Sequence, residues 1–222
     1  MSLPVLVMGR SGSGKTYSIK NFSPEEIGVI SVEKGRLPFR SDIKVARIPK
    51  SFSGVEDYAT LNRAKYAWLE KVIETAKNNV IVIDDSQYLL VNELFDRAAE
   101  KGYDKFVQMA SNFRNLIHSI NEMDQEDKIV YFLHHTETDS DGREKVKTIG
   151  KMLDEKLTVE GCFDIVIYCQ DHKFYTQSNG QSTAKTPEGM FDLEIPNDLK
   201  LVDTKIREYY NLNTNKKGAK KA

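Results

Sequence analysis

Near the start of the chain, Gly9-Arg10-Ser11-Gly12-Ser13-Gly14-Lys15-Thr16 follows a short apolar run. A packed core has no use for such a segment, whereas a phosphate group does. Backbone N–H groups can wrap an anion only where no Cβ obstructs the approach, and the glycines remove that obstruction. The spacing is G-x-x-x-x-G-K-[ST] in full, with Gly9, Gly14, Lys15 and Thr16 at its fixed positions. In this pattern the lysine reaches the β- and γ-phosphates of a nucleoside triphosphate, and the threonine hydroxyl ligates Mg²⁺. All eight residues are therefore expected to bind nucleotide.

Three further groups could complete that chemistry. The run Val80-Ile81-Val82-Ile83 reads as a buried strand and ends in Asp84 and Asp85. Asp84 is expected to meet the Mg²⁺ of a bound triphosphate, directly or through water. The competing reading is that the two aspartates only cap the following turn. Glu33 closes a second strand, on the rim where open parallel sheets bind ligands, and there could orient or deprotonate an attacking water. His134 and His135 end another strand, and His135 is the better candidate to donate to a γ-phosphate.

Elements must hold these residues on one edge. Pro4–Met8, Ile27–Val32, Ile43–Ile48, Val80–Asp85 and Ile129–His135 read as strands. Between them, Tyr58, Leu61, Trp68, Leu69, Val72, Ile73 and Ala76 recur at helical spacing, predicting a helix over 55–77. A second helical pattern covers 91–123, with a break near Gly102. A helix is also expected directly after Lys15, its N-terminus facing the same anion. The segment 136–145 reads as a polar loop. Beyond it the pattern predicts a short helix over 150–157, strands ending at Cys169 and starting at Lys173, and a terminal helix over 198–210. This alternation predicts an α/β fold: a mostly parallel central sheet with helices on both faces and antiparallel strands toward the C-terminus.

The chain has 222 residues, 32 basic and 33 acidic, for a net charge of −1, so no global basic field draws it to nucleic acid. One domain over 1–212 and a basic tail over 213–222 are expected. The two cysteines, Cys162 and Cys169, fit no disulfide framework or metal spacing and read as buried thiols of a reducing cytosol. No apolar run reaches membrane-span length and no signal-peptide core precedes Arg10, so a cytoplasmic protein is expected, with no membrane partner.

Taken in order, GRSGSGKT, Glu33 after the second strand, VIVIDD and the paired histidines resemble the RecA-like ATPases. With HHTETDSDG, IGKML, FDIVIYC and TAKTPEG added, the chain from Leu3 to Met190 resembles the small phage-encoded RecA-like ATPases that accompany single-strand annealing and recombination genes. The resemblance implies a RecA-like P-loop NTPase core using ATP and Mg²⁺. It places Lys15 and Thr16 on phosphate and magnesium, Asp84 on magnesium, Glu33 as the catalytic carboxylate and His135 as the γ-phosphate sensor. Lys185 falls where such proteins carry a basic residue that reaches a neighbouring subunit, although the arginine that often follows is missing. A homo-oligomer, ring or filament, in the host cytoplasm is implied, with single-stranded DNA and a phage single-strand binding protein as partners.

The loop after His135, where RecA-like proteins bind DNA, is net acidic, with Glu137, Asp139, Asp141 and Glu144 against Arg143, Lys145 and Lys147. The better DNA candidates are Lys34, Arg36, Arg40, Lys44, Arg47 and Lys50, interleaved with Phe39, and the lysine tail. Two alternatives share the phosphate loop. A nucleotide-kinase-like phosphotransferase would need an arginine-rich lid and an acceptor pocket. A helicase loader or AAA+ remodeller would need an added helical C-terminal domain.

Overall fold

A computed structural model describes residues 1–33, 36–154 and 157–212, without the side chain of Met152. Strands β1 (Leu3–Gly9), β2 (Ile27–Ser31), β3 (Val45–Arg47), β4 (Val80–Asp84), β5 (Ile129–Thr138), β6 (Glu144–Val146), β7 (Ile165–Gln170), β8 (Lys173–Tyr175) and β9 (Glu194–Pro196) form the sheet. Their order is β3-β2-β4-β5-β1-β7-β8-β9, with β6 paired to β5. The six strands from β3 to β7 in that order run parallel, and the β5–β6, β7–β8 and β8–β9 pairs are antiparallel.

Alternation along the strands divides the core in two. Leu6, Ile81, Ile83 and Phe132 face helices α1 (Tyr58–Thr75), α2 (Tyr88–Asp96) and α3 (Asp104–Glu122), meeting Leu69, Ile73, Leu90, Phe113 and Ile117. Trp68 packs against this core, as its place on the α1 stripe predicts. Val5, Val7, Val29 and Val82 face the other way, onto Ile19, Phe22 and, after the four-residue α4 (Lys151–Asp154), the Leu199, Val202 and Ile206 of α5 (Leu199–Tyr210). Helices thus cover both faces. Asp57 starts α1 by accepting a 2.8 Å bond from the Thr60 amide, and Asp198 caps α5 in the same manner.

Four local expectations are corrected. The helix after Lys15 is a six-residue 3₁₀ turn, Thr16–Asn21, ended by an extended Phe22; Pro24 follows and cannot continue it. The polar segment after His135 is a β-hairpin: β5 runs on to Thr138 and turns back through β6, held at its tip by Arg143 and Asp139. The long helical pattern breaks near Gly102 as expected, but the first helix begins at Tyr88, earlier than the sequence pattern indicates. Cys169 is buried, but Cys162 is only half-buried. Lys34, residues 155–156 of the expected short helix and the whole basic tail, 213–222, lie outside the described residues. Among the described residues no helix is long and apolar enough to cross a membrane.

Candidate active site

Parallel pairing brings the chemistry to one rim. Gly9 at the end of β1 stands opposite His135 of β5, and Ser31 of β2 stands opposite Asp84 of β4. The loop 9–16 then bends over this rim, with Gly12 at φ +80° and Gly14 at φ +107°, conformations that suit glycine. Two of its carbonyls are tied to other segments. The His172 amide donates to the Ser13 carbonyl at 3.1 Å, Cys169 Sγ donates to the same oxygen at 3.3 Å, and Asn197 Nδ2 donates to the Gly14 carbonyl at 3.1 Å. Gly9 admits no side chain, because a Cβ would collide with the Cys169 carbonyl.

Lys15 is 5% exposed, and its Nζ donates to the carbonyls of Gly9 at 2.7 Å and Arg10 at 2.9 Å. Burial lowers its pKa from the ordinary lysine value. The cavity at this point, about 460 Å³, is lined by Gly12, Gly14, Lys15, Thr16, Tyr17, Pro38, Asp85, His135 and His172, among others. Ser13 Oγ is buried with no partner among the described residues. Arg10, by contrast, turns its guanidinium away to Glu144 at 2.5 Å and Thr138 at 2.7 Å, so only its backbone serves the phosphate loop.

The Thr16 hydroxyl donates to Asp84 Oδ1 at 2.9 Å. Burial, aided by the neighbouring Asp85, raises the Asp84 pKa to about 6. A hydroxyl and a costly buried carboxylate meeting at one point form an all-oxygen donor set of the hard kind Mg²⁺ takes, so the residues fit that ion. Asp85 does more than cap a turn: at φ 60° it presents Oδ1 to His135 Nε2 at 3.1 Å, and both line the phosphate cavity.

His134 is fully buried, bridging Ser86 Oγ at 2.9 Å and the Lys147 carbonyl at 2.8 Å. Burial pushes its pKa down to about 4. It is a neutral structural group, and His135 is the histidine that reaches the cleft.

Other expected residues are not gathered here. Glu33 is exposed on the same rim, but it lines a neighbouring cavity and its Oε1 accepts from Asn92 Nδ2 at 2.9 Å. Lys185 is exposed and lies outside the phosphate cavity; its backbone exchanges two bonds with Val166, at 2.7 and 2.9 Å, early in β7. The basic segment 36–50 divides. Pro38 reaches the phosphate cavity and Phe39 packs edge-on against Tyr17 at 6.1 Å, leaving that ring committed, while Arg47 and Lys50 line the cavity beside Glu33.

Sequence reasoning passes over Tyr17, His172 and Asn92. Tyr17 packs between Phe39 and His172, 5.8 Å from the latter, at the mouth of the cleft. The one sequence signal for Tyr17 is its place directly after Thr16. For His172 and Asn92 no local signal exists, because the hairpin and α2 bring them in from distant segments.

Residues 1–191 match the family model described as AAA domain. No curated protein matches the chain.

Proposed function

The chain belongs to the AAA domain family of P-loop NTPases, and from that premise we propose that it is a magnesium-dependent ATPase that works as an oligomer on single-stranded DNA in phage recombination or replication. One observation carries the ATPase half: Lys15, the Thr16–Asp84 pair and the Asp85–His135 pair converge on one cleft at the carboxyl ends of parallel strands. Thr16 and Asp84 would hold the ion, which when bound neutralises charge on the phosphates. Lys15 exchanges its loop carbonyls for phosphate oxygens. His135, oriented by Asp85, donates to the terminal phosphate and registers its loss. Glu33, on the adjoining strand end, positions the attacking water, and Asn92 holds its carboxylate when no water is engaged.

DNA binding is assigned to Arg36, Arg40, Lys44, Arg47 and Lys50, each exposed and all within one segment of a chain with net charge −1. The phosphotransferase reading keeps one observation in its favour, the second cavity beside Glu33, which could seat an acceptor. ATP turnover with and without single-stranded DNA separates the two. Stimulation by DNA, abolished by Lys15→Ala, is expected; stimulation by a nucleoside monophosphate, with a phosphorylated product, would replace this reading with the kinase.

A further inference from the structure

The cavity on the far side of Glu33 measures about 540 Å³, within the range of small-ligand sites. Three tyrosines line it: Tyr58, Tyr66 and Tyr88. Tyr66 is 5% exposed, and its hydroxyl has no hydrogen-bond partner among the described residues. A buried phenol in that state is costly unless a ligand supplies the acceptor. Burial, with Glu93 nearby, pushes its pKa well above the ordinary tyrosine value, so it remains a neutral donor. Tyr58 is the opposite case, a large ring left 56% exposed at the start of α1. At the rim, Arg47 and Lys50 are exposed and form no ion pair among the described residues, whereas Lys65 in the same cavity is neutralised by Asp96 at 2.7 Å. Flat aromatic surface, one unused donor and two free cations are the complement of a base carrying its phosphate.

The cavity also touches the ATP site. Tyr88 stands edge-on to His135 with ring centres 6.4 Å apart, and Asn92 holds Glu33. We propose that this cavity binds one nucleotide unit, its base against the tyrosines and its phosphate against Arg47 and Lys50, and that occupancy reaches the ATP cleft through Tyr88 and Asn92. The coupling rests on the ATPase reading; the binding does not. The unit can come from a single strand or from a free nucleoside monophosphate.

The test uses the full-length protein, a fluorescein-labelled oligothymidylate followed by anisotropy, and dTMP as competitor and as direct ligand. Tyr58→Ala and Arg47→Ala are each expected to weaken binding about tenfold, with fluorescent ATP-analogue binding unchanged. Tyr66→Phe should weaken it several-fold while raising the thermal midpoint of the free protein, a pair of effects that a purely structural hydroxyl would not give. Oligothymidylate binding with this dependence assigns a strand as the source, and dTMP binding with the same dependence assigns the free nucleotide. ATP turnover stimulated in wild type but not in Tyr58→Ala, at equal unstimulated rates, establishes the coupling. Wild-type affinity for both probes in all three variants, or no binding of either probe by wild type, overturns the proposal. If Tyr58-dependent binding holds but the protein never hydrolyses ATP, the ATPase reading fails and the cavity stands. If hydrolysis is normal but the variants bind like wild type, the cavity fails alone.

Discussion

Lys15 is held by its own loop, and this makes its role separable from the fold. Its amine is desolvated against two carbonyls of that same loop, Gly9 and Arg10. Lys15→Ala should therefore cut turnover by about 10²-fold or more, the usual loss when one charge-stabilising donor is removed from a transition state. Circular dichroism and the thermal midpoint should change little by comparison. Asp84 and His134 make a second prediction, with opposite signs. Asp84 titrates near 6 when folded against an ordinary 3.8, so charging it opposes folding; that cost grows as pH rises from about 4 to 6 and is complete at pH 7. In buffer free of nucleotide and Mg²⁺, Asp84→Asn should gain up to about 2 to 3 kcal/mol at pH 7 and much less at pH 4. With Mg²⁺ and ATP present the order should reverse, because the ligand is lost. His134 titrates near 4 when folded against 6.5, so the stability it contributes is present above about 6.5 and is lost as pH falls toward 4. His134→Gln should be destabilised most at pH 7, with the deficit shrinking by about 3 kcal/mol at pH 4. Urea midpoints across this range check both slopes.

At the level of elements, the strands that carry the site were legible because each is a short, continuous apolar run ended by a polar residue, as buried parallel strands are. Gly9, Asp84 and His135 could be placed on one rim from that pattern alone. What local pattern does not encode is pairing between distant segments. The acidic stretch after His135 reads as a loop because its polar residues alternate on a hairpin whose inner partners, Thr136 and Glu144, bond each other rather than face an apolar core. Likewise the β7–β8 turn, with Asp171 at φ 48° and His172 at φ 58°, lacks the Asn-Gly signature of such hairpins. Yet this turn braces the phosphate loop through the His172 amide. A side chain on Gly14 would need a left-handed backbone and would collide with both His172 and Asn197. Gly14→Ala should thus move hairpin and loop apart, costing about 1 to 3 kcal/mol of stability and most nucleotide affinity. Normal ATP-analogue binding by this variant would show that the two elements are not coupled.

On the scale of the molecule, one sheet edge gathers the phosphate loop, the Thr16–Asp84 pair and His135, while Lys185 lies outside that cleft, bridged through its backbone to Val166 near the start of β7. Its own subunit gives it no phosphate to meet. If it serves the ATP of a neighbour, each active site draws Lys15 and Glu33 from one chain and Lys185 from the next. Lys185→Ala should then lower turnover in the assembly about 10²-fold or more without changing nucleotide affinity of the dilute subunit. Glu33→Gln, which fills the same space but cannot accept a proton, should bind ATP and turn over poorly. Each protein alone should be nearly inactive, but a mixture contains boundaries at which the Lys185→Ala chain supplies an intact Glu33 and the Glu33→Gln chain supplies an intact Lys185. Random co-assembly at equal amounts makes about a quarter of boundaries complete, so turnover should recover toward a quarter of wild type. Recovery cannot arise if both residues act within one chain, because every site would then lack one of them. Co-assembly verified by light scattering with no recovered turnover would leave Lys185 as a solvated loop residue and return the whole site to a single subunit.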